Sequence, residues 1–223
     1  MDANNFRRSM LDRLASETHV TKLHAWFRLT SFPFEAVLPL VPKEGAIYDV
    51  GCGFGLFSYL LAKDSSKRRV IAYDPSLEKT RVARVLLAGL DNVTVFRPTD
   101  HFPRSRLRPK VVVILDVLYL LSPRKKRFLV RSIFSRLQRS GTVIIAIVPK
   151  EPSWRYVLSF LQELLVVKCL QWTTSRMNII NFETEEFLRR ILSDCGFVAI
   201  QRHRLTAPFP FFHRHTLFVA KKL

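Results

Sequence analysis

Ala46-Ile47-Tyr48-Asp49-Val50-Gly51-Cys52-Gly53-Phe54-Gly55-Leu56-Phe57 is the stretch that decides the fold. It begins as a short apolar run bounded by turn signals, which reads as a strand buried on both faces. Leu56, Tyr59 and Leu60 then set a helical spacing, so the loop between strand and helix is tight. Closely spaced glycines allow positive φ there and keep Cβ atoms from separating the main chain from a ligand. Such a loop at the carboxyl end of a strand is where open α/β sheets bind ligands. A dinucleotide fingerprint, Gly-x-Gly-x-x-Gly, would need its third glycine at position 56. Leucine stands there, and the glycine falls one residue early at Gly55.

Outward from the loop, residues 69–73 read as a second strand ending at Asp74-Pro75. An acid about two dozen positions on, at the tip of the next parallel strand, has two oxygens to accept both hydroxyls of a ribose. Asp74-Pro75-Ser76 equally fits a helix cap. Residues 78–90 read as a helix and 93–97 as a third strand, followed by Asp100 in a turn and by the basic loop Pro103 to Lys110. Residues 111–115 are a β-branched, apolar run typical of a central parallel strand. It ends at Asp116-Val117-Leu118-Tyr119-Leu120-Leu121; Ser122-Pro123 opens a helix, and residues 142–148 form a fifth strand. Alternating strands and helices require right-handed crossovers and a parallel sheet.

The pattern Asp49-x-Gly51-x-Gly53-x-Gly55 resembles the first motif of the class I S-adenosylmethionine-dependent methyltransferases, and Asp116 to Leu121 looks like their fourth. The resemblance covers residues 44–150 well and the remainder in outline. It implies an α/β fold: a seven-stranded, mostly parallel Rossmann-like sheet with helices on both faces, its last strand antiparallel between the fifth and sixth, plus N-terminal helices. It implies S-adenosylmethionine as cofactor, held by Asp49, Gly51, Cys52, Gly53, Gly55, Asp74, Pro75, Asp100, Asp116 and Val117. Within that set Asp74 would take the ribose, Asp100 the adenine amino group, and Asp116 the methionine amino group or a substrate group. Tyr119 would border the sulfonium. His101, Tyr119 and His213 are the catalytic candidates. A sulfonium-bound methyl group is already electrophilic, so the protein chiefly aligns an acceptor and excludes water, with a base helping where the acceptor is oxygen.

With 223 residues and 48% hydrophobic composition, the chain is expected to bury one core as a single domain. Within it, residues 1–43 would form a helical lid, 44–150 the cofactor-binding core, and 151–223 the acceptor side with a C-terminal hairpin. The start lacks the apolar core of a signal peptide, and no run of about eighteen uncharged apolar residues occurs. A cytoplasmic protein is the expectation. Cys52, Cys169 and Cys195 make neither a disulfide framework nor a metal cluster, two being assigned to the core and one to the loop. Against 18 acidic residues stand 36 Lys and Arg, a formal net charge of +18. A field of that sign attracts nucleic acid or the anionic face of a membrane.

Residues 5–30 read as one or two helices, with Phe6, Met10 and Leu14 in one apolar stripe and Leu23, Trp26 and Phe27 in another. They pack as a lid over the core, or present Arg7, Arg8 and Arg13 to acidic head groups. In the helix from Pro123, Arg124, Lys125, Lys126, Arg127, Arg131, Arg136 and Arg139 stand without an acid among them and point to a docking surface. Trp154 to Leu170 is apolar on nearly all sides but too charged to span a bilayer. Pro208-Phe209-Pro210-Phe211-Phe212 makes a stiff apolar loop flanked by bases. His213 and His215 share a strand face, but without a third ligand no metal is expected.

Three functions follow as expectations. One is methyl transfer to a small or amphiphilic acceptor, lipid-like or aromatic, with the protein peripheral on the inner face of a membrane. Another is RNA methylation using the same charge, although no Asn-Pro-Pro-Tyr-type tetrad follows the fourth strand. The third is a non-catalytic scaffold that binds the cofactor without turnover.

Overall fold

A computed structural model describes residues 3–96, 107–150, 181–206 and 215–223. The expected positions Asp100, His101 and His213, the apolar segment from Trp154 to Leu170 and the Phe-Pro loop at 208–212 lie outside the described residues, as does Cys169. The chain divides into two compact units, Met1–Leu107 and Arg108–Leu223.

The first unit opens with helices α1 (Ala3–Arg13), α2 (His19–Ser31) and the short α3 (Phe34–Val37). Thr18 separates the first two, its hydroxyl accepting the Thr21 amide at 3.2 Å, a cap that satisfies one of the amides orphaned at a helix start. Phe6, Met10 and Leu14, four apart, are fully buried, which favours packing over the core for this stripe. Strands β1 (Gly45–Val50), β2 (Arg68–Tyr73) and β3 (Val93–Phe96) pair in parallel, linked by α4 (Leu56–Asp64) and α5 (Leu77–Leu86). Helix α5 ends four residues earlier than its apolar pattern predicts, because the chain turns through Leu87 before Gly89 takes φ +75°.

The second unit holds β4 (Val111–Leu115), α6 (Pro123–Arg136), β5 (Thr142–Ile147), α7 (Glu185–Asp194), β6 (Val198–Leu205) and β7 (His215–Lys221). Every residue of β4 is buried, as its uninterrupted apolar sequence requires. Strand β5 pairs with β4 in parallel and with β7 antiparallel, and β7 pairs antiparallel with β6. The sheet has seven strands in the order β3-β2-β1-β4-β5-β7-β6, with the last strand between the fifth and sixth as expected.

Two expectations are corrected. Lys126 does not belong to a basic surface of α6: it is 1% exposed and its ammonium donates to the Asn181 carbonyl at 2.7 Å and to Glu183. It precedes Leu129 and Val130 by three and four positions, which places it in the apolar stripe of the helix. Cys195, assigned to the core, is half-buried at the C-cap of α7, where the chain leaves the helix toward Gly196. Among the described residues no helix is long and apolar enough to cross a membrane.

Candidate active site

In the first unit the loop after β1 is built by three left-handed glycines, Gly51, Gly53 and Gly55, at φ +75°, +57° and +82°. The Gly51 and Cys52 amides both donate to the Tyr73 carbonyl, at 2.8 and 3.0 Å, so the loop is tied to the tip of β2. Gly55 lies against α5: a Cβ there would sit 3.0 Å from Leu87 and 3.2 Å from Ala83. Around Gly53 the space is open, with nothing within 4 Å of a Cβ position. One glycine thus serves packing and the other leaves its main chain bare to open space.

Asp74 at the tip of β2 closes the loop. Its Oδ2 accepts the Gly53 amide at 3.0 Å and its Oδ1 the Ser76 amide at 2.9 Å. The cap of α5 is Ser76, whose hydroxyl accepts from the Lys79 amide at 3.3 Å, which leaves Asp74 to the glycine loop. A carboxylate has about four lone-pair sites, and these amides occupy one on each oxygen. The remaining sites, with the bare Gly53 main chain, fit the vicinal hydroxyls of a nucleoside.

Asp49 is buried, and its Oδ2 takes a 2.5 Å hydrogen bond from Ser58 of α4. It therefore braces β1 to α4 from behind the loop. Burial pushes its carboxyl up to about 6, and the nearby Asp74 charge adds to the rise, while the Ser58 bond and Arg28 oppose it. The pair makes the loop locally anionic in a basic chain, which suits a cationic ligand. Pro75 is exposed, and the Cys52 thiol is pushed well up by burial and by Asp49 and Asp74. Over the loop lies His24 of α2, edge-on to Phe54 at 4.8 Å. Burial, with Lys79 and Arg28 beside it, lowers its imidazole to about 3 and keeps it neutral. His24 belongs to no motif in the sequence, although its neighbours Leu23 and Trp26 mark the helix.

The pH consequence of Asp49 has a definite sign. A folded-state pKa above the unfolded value means the native chain binds the proton more tightly. Stability is therefore full below the ordinary carboxylate range and falls as pH rises through about 6. Asp49→Asn keeps an acceptor for Ser58 and cannot ionise. Chemical denaturation from pH 4 to 8 is expected to show that slope in the wild type, on the order of 2–3 kcal/mol in all, and a flatter profile in the variant.

In the second unit the tip of β4 carries Asp116 at φ +53°, its amide donating to Ala146 at 3.1 Å. The left-handed region costs about 1 kcal/mol for a residue other than glycine and is most tolerable for Asp or Asn. Asp116 Oδ2 lies 2.8 Å from His215 Nε2, the side chains being 7% and 1% exposed. His215 opens β7, and the antiparallel direction of that strand brings its first residue to the end where β4 and β5 finish. The histidine paired with the acid is thus His215; the chosen candidate, His213, lies outside the described residues. The usable signal was the resemblance itself, which places the last strand beside the fifth.

Val117 leads into a 3-10 turn, Leu118–Leu120, in which Tyr119 stacks on Phe182 at 5.3 Å and 21°. The Asn181 amide donates to the Tyr119 carbonyl at 2.9 Å, the Lys150 amide to the Glu183 carbonyl at 2.9 Å, and Lys126 holds Asn181 and Glu183 from beneath. Burial lowers the Lys126 ammonium while Glu183 opposes the change. The aromatic pair is therefore fixed from several directions. Among the described residues no group of His, Cys, Asp and Glu has the make-up of a metal site.

The family model described as a methyltransferase domain matches residues 24–202. Among solved structures the chain is similar to the pyocyanin biosynthetic protein PhzM, at 17% identity over 97% of this chain and 61% of that one, TM-score 0.70. It is similar to an O-methyltransferase family protein from Burkholderia thailandensis, at 15% identity over 94% and 61%, TM-score 0.71. It also resembles magnesium protoporphyrin IX methyltransferase (ChlM) from Synechocystis PCC 6803 with bound SAH, at 18% identity over 99% and 97%, TM-score 0.65. The chain spans about six-tenths of the length of the first two. A comparison with curated proteins gives no match. The glycine loop, the acid at the tip of β2, the strand order and the family match over most of the chain converge: this protein belongs to the class I S-adenosylmethionine-dependent methyltransferases.

Proposed function

We propose that the protein methylates an oxygen of a small aromatic or lipid-like amphiphile at an anionic membrane surface. The buried Asp116–His215 pair carries this reading. S-adenosylmethionine, when bound, supplies a methyl group on a cationic sulfur that leaves as a neutral thioether. Gly53 and Asp74 would hold its ribose, and the charges of Asp49 and Asp74 would favour its cationic end. Asp116 Oδ2, 2.8 Å from His215 Nε2, holds the imidazole at the tip of β4. The imidazole takes the acceptor hydroxyl's proton as the oxygen is alkylated, and Asp116 stabilises the resulting imidazolium. Tyr119 and Phe182 give an apolar wall for the acceptor's ring or chain.

The reading is tested with methyl-labelled S-adenosylmethionine offered to phenols, carboxylic acids and long-chain hydroxylated amphiphiles, with and without anionic vesicles, and to total RNA. Organic-extractable label, enhanced by vesicles and matched by release of demethylated cofactor, is the expected result. Label in RNA, or cofactor binding with no turnover on any acceptor, overturns it.

A further inference from the structure

Helix α2 is apolar on two opposite sides. Thr21, Ala25 and Leu29 face inward and are buried. On the outer side Val20, Leu23 and Trp26 are 52%, 57% and 47% exposed. A helix at the surface of a globular protein carries polar residues on its outer face. Successive steps of three keep these residues on one stripe, and His19–Ser31 contains no acid while including Lys22 and Arg28.

We infer that this outer stripe of α2 is the seat of the protein on an anionic lipid bilayer, lying in the head-group plane with Leu23 and Trp26 dipping toward the acyl chains. The inference deepens the membrane reading above and rests on it. Charge selects the occupant. With a net charge of +18, a second copy of the chain repels the first, whereas an anionic leaflet attracts it. Nucleic acid shares the sign, but Val20, Leu23 and Trp26 offer it no phosphate donor, and one ring beside two aliphatic side chains suits acyl chains better than stacked bases. An apolar row ending in one tryptophan, on a helix that carries no acid in a strongly basic chain, matches an interfacial helix, whose binding combines buried apolar area with attraction to acidic lipids. The same helix places His24 on Phe54 of the glycine loop, so lipid contact is made by the element that covers the cofactor loop.

The chain has three tryptophans, Trp26, Trp154 and Trp172. In the full-length Trp154→Phe/Trp172→Phe variant, Trp26 emission is expected to shift to the blue on vesicles of phosphatidylglycerol mixed with phosphatidylcholine, and to be quenched by brominated acyl chains. Neutral phosphatidylcholine vesicles should do neither. Independently, Leu23→Asp in the wild-type background should lower co-sedimentation with the anionic vesicles about tenfold or more, leaving the melting temperature and the affinity for demethylated cofactor unchanged. Vesicle binding with an unmoved Trp26 spectrum and an unaffected Leu23→Asp variant overturns the assignment of this face while sparing the membrane reading. Absence of vesicle binding by the wild type overturns both. A dimer in sedimentation equilibrium that Leu23→Asp dissociates, with vesicle binding intact, gives the face to a second copy and also overturns the inference.

Discussion

Asp74→Ala should weaken binding of S-adenosylmethionine and its demethylated product by about a hundredfold or more. Two contributions add. In the proposed site the ribose hydroxyls would lose hydrogen bonds to a charged acceptor, each worth about 1.5–3 kcal/mol. The loop also loses its clasp, because the Gly53 and Ser76 amides both donate to this carboxylate. Gly53 at φ +57° is then free to leave the conformation that bares the main chain. A total of about 3–5 kcal/mol is two to three or more powers of ten in Kd. Asp74→Asn is the sharper control: an amide nitrogen must face one of the two backbone donors, so most of the loss should persist without a change in size. Calorimetric titration with the demethylated product reads the effect directly, and an Asn variant with wild-type affinity would show that the charge and the clasp are both unimportant.

His215→Ala is expected to reduce turnover by about 10²–10⁴, the usual span for loss of a positioned general base. Binding of demethylated cofactor should change by only a few-fold. The substitution also leaves Asp116 facing a cavity, and breaking a buried pair by removing one partner costs about 3–5 kcal/mol. A fall in stability alone would therefore not identify a base. Chemical rescue does: small exogenous imidazole should restore part of the variant's rate. A variant with reduced stability and a rate that exogenous imidazole does not restore would assign the pair to structure.

The glycine loop and Asp74 were legible in the sequence because backbone geometry dictates them. Positive φ at successive positions calls for glycine, and the acid stands at a strand tip fixed by counting from the loop. His215 was harder to place, since its partner is 99 positions away and only the antiparallel register of β7 brings the two together. Lys126 was misread because its charge was grouped with Arg124 and Arg127, although its spacing from Leu129 and Val130 sets it among apolar neighbours. Asp49 was read as part of the binding loop on the strength of the motif. Its bond to Ser58 gives it a bracing function that spacing alone does not reveal.

The insertion of β7 between β5 and β6 has a bearing on assembly. Among the described strands β6 has no neighbour in the sheet except β7, so it joins only as half of a preformed hairpin or after its successor has docked. Until then the hydrogen-bonding flank of Val143, Ile144 and Ile145 is bare, and exposed apolar edges of this kind recruit strands from other molecules. Nascent or truncated chains lacking residues 215–221 would therefore be sticky at the middle of the sheet, which makes the closing segment the guard against clumping during synthesis.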